Sequence, residues 1–389
     1  MRAVLWYAAF FIRPIGTDFH MLHIRLAYAF DAQPGAKRQL DNPLFAILSA
    51  VHRSGSVGEA ARELELSYRH VWGALKKWED ELGQELLLWN RGKRARLSLF
   101  GEKLLYAEER ARARAQPLVA NLVAEMEKEF ALAFDPGVHV LSLYASHDIA
   151  LTRLKDFTAQ EGGLHLDMRF CGSTDALHAL SRGECMMAGL HVGEDRAPGS
   201  LTQRTFKRLL KPGLHKLISF VGREQGLMVA PGNPMRISSV DDLKRAQVRF
   251  VNRQNGSGTR IEIDQMLERA GIAPSAVNGY ERMEATHLAV AAAVASNGAD
   301  VGFGIRAAAA AYGLDFIPMM REQYYLACLK ESLEQPAVKR LMELLRREGW
   351  KEAIADLPGY DSAGAGEVQS LKAAFPWYSF KGTKPGHEA

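Results

Sequence analysis

The chain has 389 residues, too many for one ordinary core, so two or three domains are expected. Hydrophobic residues make up 47% and charged residues 24%, which excludes a disordered or fibrous chain. The net charge of +4 is too small to identify a polyanionic partner, so any nucleic-acid surface must be a local concentration of positive charge. Cys171, Cys185 and Cys328 show neither CxxC spacing nor a neighbouring histidine cluster. They read as reduced, mostly buried thiols, which argues against a disulfide-built secreted protein and for a cytoplasmic one.

Val4–Ile12 is apolar and follows Arg2, but Arg13 and Pro14 close it and no clean small-residue cleavage site follows. It is also far below the ~20 residues that span a bilayer, so no membrane association is expected. Residues 1–22 read as a disordered or non-native extension. His23–Phe30 alternates as a strand does, and a polar loop follows to Asn42. A first helix is expected from Pro43, with Asn42 as cap and Leu44, Ile47, Leu48 and Val51 on one face, ending at Ser54-Gly55. A second runs over Val57–Leu64 with Ser56 as cap. A third runs from about Ser67 to Leu82, striped by Val71, Leu75, Trp78 and Leu82 and stopped by Gly83. Extended stretches at Glu85–Trp89 and Ala95–Leu99 flank a turn, and three helices followed by a hairpin is the winged-helix order.

In such a domain the N-terminal residues of the third helix face base edges, while other contacts fix its register on phosphate. Ser67, Tyr68, Arg69 and His70 suit base reading, Gly73 would allow close approach, and Lys76 and Lys77 lie near the backbone. The wing supplies Arg91, Lys93, Arg94 and Arg96, with no acidic residue between Glu85 and Glu102. The bland alternative for the tryptophans is core, and for Lys76 and Lys77 a solvated face. Gly55-Ser56-Val57, Ala60-Ala61, the run Ser67 to Trp72, Leu75, Leu82 and Leu99-Phe100-Gly101 together resemble the N-terminal domain of molybdate-responsive ModE regulators. LysR-type regulators share that scaffold. The resemblance covers Pro43–Leu105 and implies a double-stranded DNA operator as partner.

A long helical stretch from Gly101 to about Phe134 follows, broken only at Pro117. Leu118, Leu122, Met126 and Phe130 stripe it at helical spacing, either against its own domain or against a twin helix in a homodimer or higher homo-oligomer. Asp135-Pro136-Gly137 makes a boundary. From there strands alternate with helices to about Leu329, which predicts an α/β domain with largely parallel sheets over 137–389. The expected domains are thus a winged helix over 23–105, a linker helix over 106–134, and this second α/β domain.

Three loops of that domain each follow a strand, carry small hydroxyl residues and open a helix: Ala145-Ser146-His147-Asp148, Gly172-Ser173-Thr174-Asp175 and Asn255-Gly256-Ser257-Gly258-Thr259. Free backbone N–H groups and the helix dipole suit such positions to anions, although Ser and Thr also cap helices everywhere. The stretch Asn252-Arg253-Gln254-Asn255-Gly256-Ser257-Gly258-Thr259-Arg260 lacks the lysine of a P-loop. It resembles the signature of a periplasmic-binding-protein-like domain found fused to ModE-type readers and to some molybdopterin-biosynthesis proteins. Ala145–Leu151, Gly172-Ser173, Leu177–Gly189, His287 and Gly298–Gly304 match as well. The resemblance implies a bilobal, type II fold with interlobe strands near Leu227–Ala230 and Tyr324–Leu329. It also implies a cleft lined by Ser146, His147, Ser173, Thr174, Asn252, Arg253, Gln254, Gly256, Ser257, Gly258, Thr259 and His287, and molybdate or tungstate as effector. A molybdenum-cofactor precursor or another small anionic metabolite is the second expectation, and a DNA-tethered enzyme of molybdopterin metabolism the third. Ser146, His147 and Asp148 are sequence neighbours that cannot adopt triad geometry with one another. No catalytic set, metal-ligand spacing or cofactor is therefore expected.

Overall fold

The computed structural model describes residues 43–88, 95–134, 137–194 and 196–378. The expected extension, the strand at His23–Phe30, the cap Asn42 and the wing residues Arg91, Lys93 and Arg94 lie outside the described residues. The chain divides into two compact units between Arg112 and Ala113.

The first unit is built from local signals. Helices α1 (Pro43–Ser54), α2 (Val57–Glu63) and α3 (Tyr68–Leu82) precede the antiparallel strands β1 (Leu87–Leu88) and β2 (Arg96–Leu97). Ser56 and Ser67 cap α2 and α3, accepting from the amides of Glu59 at 3.3 Å and His70 at 3.1 Å. Gly83 ends α3 in the left-handed conformation, at φ 63°. Leu44, Ile47, Leu48, Val51, Val71 and Leu75 form the core with Leu86, Leu87 and Leu97. Trp78 and Leu82 of the expected stripe are only half-buried. Glu79 takes a core position instead. Its carboxylate accepts from the amides of Leu86 at 2.8 Å and Leu87 at 3.3 Å and from Lys76 Nζ at 2.7 Å, tying α3 to the hairpin.

Helix α4 (Leu99–Phe134) runs without interruption through Pro117, against the expected break. A proline inside a helix removes one N–H and leaves the carbonyl four residues earlier without its partner. Here that carbonyl is Ala113, and it accepts the hydroxyl of Thr286 at 3.4 Å. A tertiary donor thus stands in for the missing amide.

The second unit places β3 (His139–Ala145), α5 (Ile149–Glu161), β4 (Leu164–Phe170), α6 (Ser173–Arg182) and β5 (Met187–Gly193) in one lobe. After α7 (Leu201–Phe206) come β6 (His215–Val229) and the second lobe. That lobe holds β7 (Phe250–Arg253), α8 (Gly258–Arg269), β8 (Met283–Glu284), α9 (His287–Ala295), β9 (Val301–Ile305) and α10 (Arg306–Ala311). Strand β10 (Asp315–Leu329) returns to the first lobe, where α11 (Pro336–Arg346) and α12 (Glu348–Ile354) pack. The sheet order is β4-β3-β5-β10-β6-β9-β7-β8. Pairings within the βα repeats (β3 with β4 and β5, β7 with β8 and β9) are parallel, as expected. The centre differs, because β6 and β10 are 15-residue strands paired antiparallel along their length and shared by both lobes. The expected interlobe strands cover only the C-terminal ends of these two. Pro318 is accommodated where β10 pairs on one side alone, next to a register shift. Among the described residues, no helix is long and apolar enough to cross a membrane.

Burial raises the Glu79 carboxyl, but the Lys76 ammonium and the Leu86 and Leu87 amides outweigh it and hold the group below its ordinary 4.5. The stabilisation it gives is therefore complete above pH 4.5 and lost as the pH falls below that value. Glu79→Ala leaves two buried amides unpaired, at a cost of about 1–3 kcal/mol. Scanning calorimetry of the full chain should show the N-terminal transition lowered by at least about 4 °C, and an unchanged transition would contradict the role.

Candidate functional site

On α3, Tyr68, Arg69, His70, Gly73 and Lys77 are exposed and face solvent together with the capping residue Ser67. Nothing lies within 4 Å of where a Cβ at Gly73 would project, so a duplex could approach that turn. Lys76 is placed differently from its expected role. It is engaged by Glu79 and lies 5.2 Å over the Trp72 ring, so it serves α3 first. Arg96, on β2, is exposed at the base of the wing.

In the second unit, the three hydroxyl-bearing loops meet between the lobes. Ser146 Oγ lies 3.3 Å from Ser173 Oγ, and both side chains are buried. Thr174 reaches the other lobe, where its amide donates to the Gly256 carbonyl at 3.3 Å. Gly256 sits at φ +78°, with the Thr174 hydroxyl where a Cβ would be. Gly258 opens α8 against the His191 side chain, whose Cβ a Cβ at Gly258 would strike at 2.7 Å. Thr259 Oγ1 receives the Gln225 amide at 3.2 Å and lies 3.4 Å from His287 Nε2.

Other expected residues are occupied by the protein itself. The Asn252 side chain accepts from the Arg253 amide at 2.9 Å and donates to the Tyr280 carbonyl at 3.4 Å. Ser257 caps α8 and donates to the Gln254 carbonyl at 2.9 Å. The backbone amide of Gln254 donates to the Glu284 carbonyl at 3.0 Å, and its side chain is half-buried. Arg260 pairs with Asp264 and stacks 4.1 Å over Tyr280, away from the duty of a cleft cation.

Arg253 stands apart. It is 1% exposed, its Nη1 donates to the Glu284 carbonyl at 3.2 Å, and its Nε has no partner. Burial, reinforced by the neighbouring Arg223 charge, pulls the guanidinium down to about 9. Beside it, Arg223 is fully buried but paired with Asp148, the N-cap of α5, and with Glu322, its cross-strand neighbour on β10. Tyr360 also donates to Asp148, at 2.8 Å. His147 is pushed down to about 4 by burial, and burial also carries His191 and His287 well below the ordinary histidine value. All three rings are neutral. The site is thus a buried basic centre lined by hydroxyls and neutral imidazoles, and its charge is answered by a carbonyl where a counter-ion would be expected.

His191, Arg223, Gln225 and Glu322 escaped the sequence reading. Their signal was present: polar residues set inside apolar runs, in Met187–Gly193, Phe220–Val229 and Tyr324–Leu329 with its preceding Arg321-Glu322-Gln323.

The part of α4 that belongs to the second unit, from Ala113 on, lies on both lobes. Arg114 pairs with Glu284, through Nε at 2.8 Å, and Thr286 holds the Ala113 carbonyl; both partners belong to the second lobe. Asn121 exchanges two hydrogen bonds with the Phe170 backbone, at 2.7 and 3.2 Å, while Lys128 pairs with Asp167 and Glu127 with Lys155 in the first lobe.

Residues 44–102 match the model of the bacterial regulatory helix-turn-helix protein, lysR family, and residues 154–346 match the PBP superfamily domain. The chain is 34% identical over 254 residues to the uncharacterized protein YvgK of Bacillus subtilis (strain 168), a match spanning 65% of this chain and 80% of that one. It is 35% identical over 109 residues to an uncharacterized protein encoded in the 5′ region of a ferredoxin 2Fe-2S gene of Clostridium pasteurianum, covering 28% of this chain and 96% of the relative. Among solved structures, an OxyR C206 mutant from Corynebacterium glutamicum aligns over 80% of this chain and 93% of its own, at 16% identity and a TM-score of 0.41. The chain therefore belongs to the PBP superfamily and is a LysR-type transcriptional regulator with a PBP-like effector-binding domain.

A guanidinium with a depressed pKa destabilises the ligand-free fold at every pH below about 9, because the folded state holds the charge less well than the unfolded chain does. Arg253→Gln, which can still donate to the Glu284 carbonyl, should raise the melting temperature of the ligand-free protein at neutral pH by about 2 °C or more. A lowered melting temperature would mean that the charge is compensated without any ligand.

Proposed function

We propose that this regulator binds operator DNA as a homodimer or higher homo-oligomer and responds to a small anion held between the lobes at Arg253. The observation that carries the ligand half is Arg253 itself, a buried cation lacking a counter-ion; we assign Ser146, His147, Ser173, Thr174, Gly256, Gly258, Thr259 and His287 to the same site. An anion supplies the missing charge, so it favours the arrangement in which both lobes touch it. The resemblance to ModE-type proteins puts molybdate and tungstate first among candidates. A molybdenum-cofactor precursor or another small anionic metabolite is the second reading, favoured by unpartnered hydrogen-bond acceptors in the same cleft. The protein acts as a sensor in both readings, and no turnover of such a compound is expected. Titration calorimetry of the full chain with molybdate, tungstate, sulfate and phosphate tests the proposal, and silence from all four would remove the anion.

On the DNA side, Ser67, Tyr68, Arg69, His70 and Gly73 present the reading surface, and Lys77 with the wing residues Arg91, Lys93 and Arg94 supplies phosphate contacts. Lys76 supports the helix that carries them. Pairing through α4 is supported by Leu118, Leu122, Met126 and Phe130, which are 68%, 66%, 39% and 44% exposed in the single chain. In quantitative binding assays, Arg69→Ala should relax sequence preference, whereas Arg94→Ala should weaken all sequences alike. Equal losses on every sequence for both variants would contradict that division.

The same helix would carry the signal. The Glu284 carbonyl holds Arg253 while the Glu284 carboxylate holds Arg114 of α4, so one residue joins the cleft to the helix. Arg114→Ala should keep anion affinity within about 3-fold yet reduce the anion's effect on operator affinity, the coupling free energy of two sites. Unchanged coupling would exclude this route.

A further inference from the structure

The unpartnered atoms around Arg253 are not all donors, and that limits what the occupant can be. Gln225 is fully buried on β6, and its amide nitrogen donates to Thr259 Oγ1 at 3.2 Å. The Gln225 Oε1 atom is left with no partner. His191 is 1% exposed on β5, its ring tilted against Tyr324 with centroids 3.8 Å apart, and neither of its ring nitrogens has a partner. No carboxylate contacts the ring, and burial beside Arg223 and Arg253 keeps it neutral, so one nitrogen donates and the other accepts. The two lobes thus offer an amide oxygen and an imidazole nitrogen as acceptors, next to the Arg253 Nε–H and the other His191 nitrogen as donors. A buried acceptor left empty costs free energy in the same way as an empty donor.

We infer that the effector carries at least one hydrogen-bond donor beside its negative charge, as hydrogenphosphate, hydrogenarsenate or a hydroxyl-bearing anion does, and that Gln225 and His191 select for that donor. This rests on the anion reading above and favours its second form, a proton- or hydroxyl-bearing anion, over molybdate and tungstate. A fully deprotonated tetrahedral dianion has only acceptors, so it would satisfy Arg253 and leave Gln225 Oε1 unpaired. An anion that keeps a proton satisfies both. The distinction sorts the candidate oxyanions by protonation state, because they are similar in size and in net charge.

The test is calorimetric titration of the full chain at about pH 8 with two sets of probes. Inorganic phosphate and arsenate keep one proton there, whereas molybdate, tungstate and sulfate keep none. The wild-type protein should bind the first set at least about 10-fold more tightly, the equivalent of one buried acceptor left unpaired. Gln225→Met removes the acceptor, and His191→Phe removes both ring nitrogens while keeping an aromatic ring against Tyr324. Each variant should bring the affinity ratio towards one, and the ratio, unlike absolute affinity, is insensitive to a general weakening of the fold. Equal or tighter wild-type binding of molybdate, tungstate or sulfate would overturn this inference and leave the anion reading standing. So would a ratio that survives in both variants. Binding of none of the five would overturn the anion reading and this inference with it.

Discussion

The second unit depends on one buried arrangement, Arg223 held between Asp148 and Glu322. Asp148 caps α5 of the first lobe, Arg223 lies midway along β6, and Glu322 faces it from β10. Charges removed from water in this way are tolerated only when paired, and losing one partner would strand the others. The cluster therefore fixes where the two shared strands cross from lobe to lobe. It also explains the state of Arg253. The two carboxylates nearest the cleft are already committed to Arg223, so the second guanidinium is left with a carbonyl and its unpaired Nε.

The reader domain was largely legible because its signals are local. Ser56 and Ser67 as caps, Gly83 as terminator and a 3.6-residue stripe on α1 need no tertiary information. Glu79 was not legible, since a carboxylate at a core position is explained only by the two hairpin amides it meets. The continuity of α4 through Pro117 was hidden for the same reason, because Thr286 lies far away in sequence. Local propensity argued for a break, and a tertiary contact overrode it.

In the binding domain the βα repeats could be read, and the long central strands could not. Gly222-Arg223-Glu224-Gln225-Gly226 has the composition of a turn, yet it is the middle of β6, where polar side chains face the cleft or pair across the strands. The hydroxyl loops were visible as loops, and the structure divides them by use. Ser257 and Asn252 hold the local backbone, whereas Thr259, Ser146 and Ser173 turn towards the interior. Which polar atoms stay unpaired is a property of the assembled lobes, so no spacing rule could have supplied Gln225 or His191.

Pro117 has a further consequence for what kind of object α4 is. An ordinary helix closes its own ladder of hydrogen bonds and can exist as a free rod. This one lacks a rung, and the hydroxyl completing it belongs to the residue that caps α9, directly before His287. One side chain is therefore shared between the start of α9 and the interior of α4, accepting from the Ala289 amide and donating to the Ala113 carbonyl. The hydrogen-bond ladder of α4 is thereby completed by a residue of the second lobe. A helix completed in this way has its full ladder only with that contact in place, which makes it a conditional strut.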